Sequence, residues 1–173
     1  MYIPDESGIN SLGGFAYQIK VFVSYMLSMD EGMQAEFETV DDIAISKMTS
    51  DIIDDNEDKF RNLIVSANGI KAIQVKRTSI TEKVAKQVLF NWMLLEKSGK
   101  TITNYILFTD KSYKNSDIVF DVSAEVLYEE ILNSKKSEKA TITKIKKEYE
   151  NDKYRFLNVY ERVKNKYTFM AVD

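Results

Sequence analysis

Residues 68–76 read Asn-Gly-Ile-Lys-Ala-Ile-Gln-Val-Lys. Asn68-Gly69 is a strong two-residue hairpin signal, because these residue types tolerate the left-handed backbone such a turn needs. Ile70–Lys76 is then the outgoing arm, and Leu63-Ile64-Val65 is a short strand before the turn. Side chains alternate across a strand, so Gln74 and Lys76 point one way while Ile73 and Val75 point the other. Thr78–Thr81 supplies helix-start chemistry. A helix is expected over 82–98, with Val84, Val88, Leu89, Trp92 and Leu95 on one side and Gly99 closing it. Ile102–Phe108 then reads as a well-buried strand. Hairpin strands that lead through a crossover helix into another strand give an α/β fold with a mixed sheet.

Upstream, Asn10 or Ser11 can cap a helix from about Leu12 to Met29. Phe15, Ile19, Phe22, Val23, Met26 and Leu27 are spaced for one buried face. Gly13 and Gly14 fall in the expected first turn, where glycine permits close approach of another backbone or a ligand. Gln34–Val40 is strand-like, and Asp41–Ser46 alternates with period two. Residues 47–60 are acidic and poorly patterned, as a loop would be. Downstream of Thr109-Asp110, helices are expected at about 123–133, 138–150 and 153–165. The apolar stretch Tyr167–Asp173 suits either a last strand or the continuation of a longer protein. The expected order is α-β-β-β-β-α-β-α-α-α.

The chain has 173 residues, 44% hydrophobic and 29% charged, which suits one domain with a real core. No apolar run approaches the ~20 residues of a membrane helix, and no signal peptide is evident, so a cytoplasmic protein away from the membrane is expected. The chain has no Cys and no His. That removes disulfides, thiolate zinc sites, the Ser-His-Asp triad and a histidine general base. Carboxylates, amides, lysines and hydroxyls remain, a set that suits a hard, oxygen-liganded cation such as Mg²⁺. Residues 1–60 hold 3 Lys/Arg against 13 Asp/Glu, and residues 61–173 hold 21 against 14. An acidic first third beside a basic remainder can hold a cation next to a polyanion, although charge also clumps on solvated helices without function.

Three segments carry the chemistry: Gly13-Gly-Phe-Ala-Tyr-Gln18, Glu38-Thr-Val-Asp-Asp-Ile43 and Ile73-Gln-Val-Lys76. By strand parity Asp42 lines up with the small residues Ala44 and Ser46, so Asp42 rather than Asp41 faces a polar cleft. If the two strands are neighbours, Asp42, Gln74 and Lys76 converge. Asp42, the Gln74 side-chain oxygen, the Val75 backbone carbonyl and waters can then hold Mg²⁺. The metal would polarise a phosphate and lower the pKa of a bound water, while Lys76 orients that water and offsets charge on the phosphate. Gln18 can reach the metal or its water shell, and Glu38 shares strand parity with Asp42 and can add charge. Trp92 and the Tyr/Phe set are better read as core than as base-stacking surfaces.

This set resembles the PD-(D/E)xK nuclease superfamily. With GGFAYQ, ExVDDI, IQVK, Trp92 and Tyr105-Ile-Leu-Phe-Thr-Asp110 in order, it is similar to the double-stranded-DNA endonuclease domain of antiphage effectors in cyclic-oligonucleotide (CBASS) and NTPase-linked defence systems. The resemblance spans roughly residues 8–110. It implies a restriction-endonuclease-like αβββαβ core over residues 1–122, with the acidic loop 47–60 inserted and 123–173 as a helical extension. It implies cleavage of double-stranded DNA with Mg²⁺ or Mn²⁺, and a sensor or oligomerisation module in a longer protein or partner chain. A homo-oligomer that pairs two sites would let both strands be cut. Lys76, Arg77, Lys135, Lys136 and Lys139 are the expected DNA contacts, within a basic run that extends to Lys144, Lys146 and Lys147. Gln87, on the helix after the IQVK strand, is a further polar position of interest. Gln74 stands where the family's second carboxylate usually stands. That leaves a second reading, a nuclease-like module that binds DNA without cutting it.

Overall fold

The computed structural model describes residues 7–29, 33–37, 43–47, 69–135 and 140–172. The element order is α1 (Ser7–Ser28), β1 (Met33–Phe37), β2 (Ile43–Lys47), β3 (Ile70–Lys76), α2 (Glu82–Lys97), β4 (Ile102–Asp110), α3 (Ala124–Asn133), α4 (Thr141–Tyr149), α5 (Lys153–Asn165) and β5 (Tyr167–Val172). The strands form one five-stranded mixed sheet in the order β1-β2-β3-β4-β5. The β1-β2 and β2-β3 pairs are antiparallel, and β3-β4 and β4-β5 are parallel. The expected strand at 63–65, most of the acidic loop and Asn68 lie outside the described residues.

Local chemistry accounts for the boundaries. Gly69 has φ +83°, and a Cβ there would meet Thr103 Cγ2 at 2.5 Å and the Thr101 carbonyl oxygen at 2.8 Å. Only glycine fits such a position. The Thr81 hydroxyl accepts from the Val84 N–H at 3.4 Å to start α2, and Gly99 with φ +79° follows its C-cap. Ser123 caps α3 in the same way, and the Asp152 carboxylate accepts from the Arg155 N–H at 2.9 Å to start α5.

The sheet separates two apolar layers. On one face α2 to α5 pack together over Ala72, Tyr105 and Leu107. Trp92 sits at the centre of this layer, 1% exposed, with ring centroids 5.4 Å from Tyr105 and 5.7 Å from Tyr167. Tyr167 opens β5, so the C-terminal stretch returns into the sheet after its three helices. Glu96 on α2 ties these parts together. Its carboxylate accepts from the Tyr105 hydroxyl at 2.8 Å and pairs with Lys166 at 2.7 Å and Arg162 at 3.7 Å.

On the other face lies α1, with Val21, Tyr17 and Tyr25 against Ile73, Val75, Ile106 and Phe108. Two sequence expectations are corrected here. The helix starts at Ser7 rather than Leu12, so Gly13 and Gly14 sit inside it instead of in its first turn. The face expected to be buried is largely the outward one: Ile19, Val23, Met26 and Leu27 are exposed, Phe15 is exposed but meets the Phe37 ring of β1 edge-on at 5.9 Å, and Phe22 joins the cluster on the sheet. The cause is that α1 carries apolar residues on both sides. Periodicity finds a stripe, but it does not decide which of two stripes a sheet will cover.

Candidate functional site

The C-terminal end of β3 presents the polar groups that the sequence singled out. Ala72 packs with the α2–α5 layer, and Ile73 and Val75 pack under α1. Gln74 and Lys76 therefore share the face of Ala72. Gln74 is 7% exposed and Lys76 is half-buried. In the parallel register Gln74 lies beside Leu107 and Lys76 beside Thr109, both fully buried on β4. A buried amide is costly to desolvate unless it is hydrogen-bonded, and Gln74 and Thr109 are the buried polar side chains among the described residues. The antiparallel partner β2 runs alongside, with Ile43 opposite Ile73. Described β2 pairing ends at Ile73, whereas β3-β4 pairing continues to Lys76.

Asp42 and Glu38, the expected carboxylate ligands, lie outside the described residues, as does Asp41. Among the described residues no group of three or more Asp or Glu is placed to hold a metal. The described donors are the Gln74 amide oxygen and the Val75 carbonyl. Both are hard oxygen donors of the kind Mg²⁺ accepts, and neither carries the charge that Asp42 would add.

Gln18 is half-buried on the sheet-facing side of α1, in line with Val21 and Tyr25. That is the face of Ile73 and Val75. The structure thus does not bring Gln18 onto the face of Gln74 and Lys76, and it would meet them only past the end of β3.

A second polar cluster, built around Arg77, one of the expected DNA contacts, lies on the α1 side of the same strand ends. Arg77 Nε stands 3.8 Å from Asp110 Oδ2, at the end of β4. The Ser112 N–H donates to Asp110 Oδ1 at 2.8 Å, and the Ser112 hydroxyl donates to the Arg77 carbonyl at 3.1 Å. Tyr17 faces this pair. Burial and the Asp110 carboxylate push its hydroxyl pKa up, while Arg77 pulls it down. A Cβ on Gly13 would lie 3.3 Å from Arg77 Nη1, so the bare glycine leaves room for the guanidinium. Gly14 has no atom within 4 Å of such a Cβ. The closeness of Gly13 to Asp110 through Arg77 could not be read from sequence, because the two residues are 97 positions apart.

The loop after β4 fastens this edge. The Lys114 N–H donates to Ser79 Oγ at 2.8 Å, and Asn115 Nδ2 donates to the Ile80 carbonyl at 2.7 Å. The residues that follow β3 and β4 are therefore held together.

The expected DNA-contacting lysines divide. Lys135 is exposed just past α3, and Lys136 and Lys139 lie outside the described residues. Lys146, part of the same basic run, donates to the carbonyls of Leu132 at 2.6 Å and Ser134 at 3.3 Å. It therefore satisfies the C-terminal end of α3 rather than facing solvent. Gln87 is exposed and lines a groove of about 620 Å³ with Lys83, Lys86, Glu130 and Thr141. Among the described residues no helix is long and apolar enough to cross a membrane. Compared with protein-family models, with curated proteins and with solved structures, the chain has no match.

Proposed function

We propose that the chain is a metal-dependent DNA endonuclease with a restriction-endonuclease-like core, acting in the cytoplasm as the effector nuclease of a bacterial antiphage defence system. The observation that carries this reading is the pair Gln74 and Lys76. They stand on one face at the end of β3, in a mixed sheet of order α-β-β-β-α-β, beside an antiparallel β2 that begins one residue after Asp42. In this reading Asp42, Gln74 and the Val75 carbonyl hold Mg²⁺ or Mn²⁺, with Glu38 adding charge. When bound, the metal supplies Lewis-acid activation of the phosphate and of water. Lys76 orients the attacking water and offsets the charge that builds on the phosphate oxygens. Double-stranded DNA is the substrate, with a sensor or oligomerisation module as partner.

The test is cleavage of supercoiled plasmid with Mg²⁺ or Mn²⁺ and with EDTA, beside Asp42→Ala and Lys76→Ala. Each substitution is expected to lower the rate by about 100-fold or more. Equal cutting by the wild type and Lys76→Ala would remove the assignment. Gln74 favours a second reading, because an amide is a weaker ligand for Mg²⁺ than a carboxylate. A module that binds DNA without cutting would show salt-sensitive binding and no cleavage with either metal. Cutting gained by Gln74→Glu would then mark a site that has lost its catalysis.

A further inference from the structure

We infer that the outward face of α1 is a homodimer interface, on which a second copy of this chain packs its own α1 about a two-fold axis. The helix is apolar on both sides. Its inner stripe, with Tyr17, Val21 and Tyr25, lies on the sheet. Its outer stripe consists of Leu12, Phe15, Ile19, Val23, Met26 and Leu27, which are 68%, 43%, 41%, 42%, 48% and 84% exposed, with Phe15 at the edge of the stripe where its ring also meets Phe37 of β1. A helix that is hydrophobic all round belongs in an interior. One of its two faces has no interior to enter within the described part of this protomer.

Three features select a second copy as the occupant. The first is spacing. Positions 12, 15, 19, 23 and 26 advance by three and four residues, the rhythm with which side chains of paired helices interdigitate. Ala16, also exposed, lies within the stripe and lets another backbone come close. The second is charge. Lys20 is the only charged residue in the 22 of α1, so the face offers nothing to select a charged partner and little to repel its own copy. The third is area. The six side chains expose on the order of 500–600 Å² of apolar surface, at the top of the range for the largest patch on a typical monomer. Doubled across a two-fold axis, that is about 1,000–1,200 Å², the lower edge of a specific interface, and it fits a dimer with a dissociation constant in the micromolar range. The interface lies on the side of the sheet away from Gln74 and Lys76, so it rests on α1 alone and not on any catalytic reading.

The test is sedimentation of the full chain from 1 to 200 μM, beside Ile19→Glu and Leu27→Glu, with circular dichroism to show that the fold is kept. The expected result is a dimer that forms within this range and is lost in both variants at unchanged helicity. Leu27 is mostly solvent-exposed in the monomer, so its substitution leaves the fold intact even if Ile19→Glu disturbs it. The absence of native cysteine allows a second readout. Ile19 is at the middle of the stripe, nearest a two-fold axis, so Ile19→Cys is expected to form a disulfide-linked dimer on mild oxidation. Lys100→Cys, on an exposed loop, is the control. A monomer throughout the range would overturn the inference. So would a dimer that persists in both Glu variants, or crosslinking of Ile19→Cys no faster than the control.

Discussion

The two glycines inside α1 should gain unequally when each is replaced by alanine, because their surroundings differ. In a helix interior, glycine is less favourable than alanine by about 1 kcal/mol, because it has more backbone freedom to lose. At Gly14 a Cβ would meet no atom within 4 Å. Gly14→Ala should therefore realise nearly the whole gain, about 1 kcal/mol, or a rise in Tm of about 2–4 °C for a domain of this size. At Gly13 the Cβ would lie 3.3 Å from Arg77 Nη1, closer than ordinary contact. The guanidinium is the end of a flexible chain, and its link to Asp110 is a loose 3.8 Å, so it can withdraw by a few tenths of an ångström. The same propensity gain is then offset in part, leaving about 0.5 kcal/mol. The assay is urea unfolding followed by circular dichroism for the four proteins of a cycle: wild type, Gly13→Ala, Arg77→Ala and the double variant. In the Arg77→Ala background, Gly13→Ala should recover the full ~1 kcal/mol, so the cycle reads the steric coupling directly. Loss of stability in Gly14→Ala would refute the placement of residue 14 inside a helix with open space beside it. An equal gain from Gly13→Ala in both backgrounds would refute the contact between Arg77 and α1.

Other consequences can be measured on the same protein. Gly69→Ala combines a positive φ with contacts of 2.5 and 2.8 Å, one of them to backbone, and should cost more than about 2 kcal/mol. Gly99→Ala has a positive φ but open space, and should cost about 1 kcal/mol, so denaturant midpoints should rank the two clearly. Glu96→Ala leaves the Tyr105 hydroxyl, Lys166 and Arg162 without their shared acceptor. Because Arg162 is well exposed, the expected loss is about 2 kcal/mol rather than that of a fully buried pair, seen as a Tm lower by about 4–8 °C. Burial pushes the hydroxyls of Tyr149, Tyr160 and Tyr167 above the ordinary tyrosine pKa of 10.0, and the Asp117 carboxylate adds to this at Tyr167. The unfolded chain loses these protons above pH 10 while the folded chain keeps them, so stability is complete below pH 10 and falls above it. Each tyrosine that keeps its proton contributes about 1.4 kcal/mol per pH unit to that fall. Ionisation read at 295 nm should then coincide with alkaline unfolding, and smooth titration of all ten tyrosines in the folded state would contradict their burial.

The parts legible in the sequence are those where local chemistry and tertiary burial ask for the same residues. Gly69, Thr81 and Gly99 carry backbone demands that few other residues meet, and β3 and α2 start within a residue of where those signals put them. Ile102–Asp110 is apolar because it is central, with parallel neighbours on both sides. The misreading of α1 has the opposite origin. Its two apolar stripes are equally good by period, and only the sheet's own residues, Ile73, Val75 and Ile106, decide that Tyr17, Val21 and Tyr25 go inward. At the candidate site, strand parity alone placed Gln74 and Lys76 on one face, since period two leaves no choice once Ile73 and Val75 are buried. The position of Gln18 needed the side of the sheet on which α1 packs, which no local pattern contains. The same holds for Arg77, whose contacts with Asp110 and Gly13 join three segments distant in sequence.

The sheet order explains why polar groups gather where they do. A parallel pair joined by a helix brings the ends of both strands to one edge, and the connecting chains must turn there. Here β3 ends at Lys76 and β4 at Asp110, and the segments that follow are tied to each other by Ser112, Lys114 and Asn115. Because Lys76 and Arg77 are adjacent, they leave the strand on opposite sides. One lies over the α2–α5 layer beside Gln74 and Thr109, the other against α1 beside Asp110 and Tyr17. This edge therefore carries two cationic side chains in different surroundings. Arg77, more than half exposed, meets Asp110 at a loose 3.8 Å and approaches Gly13 of α1, so its replacement should read first on that packing. Lys76 is half-buried beside a buried amide on the face that α1 leaves alone, so under the proposed nuclease function its replacement should lower cleavage before it lowers stability. That difference in order tests the role proposed for Lys76 against the packing contact of Arg77, one residue apart.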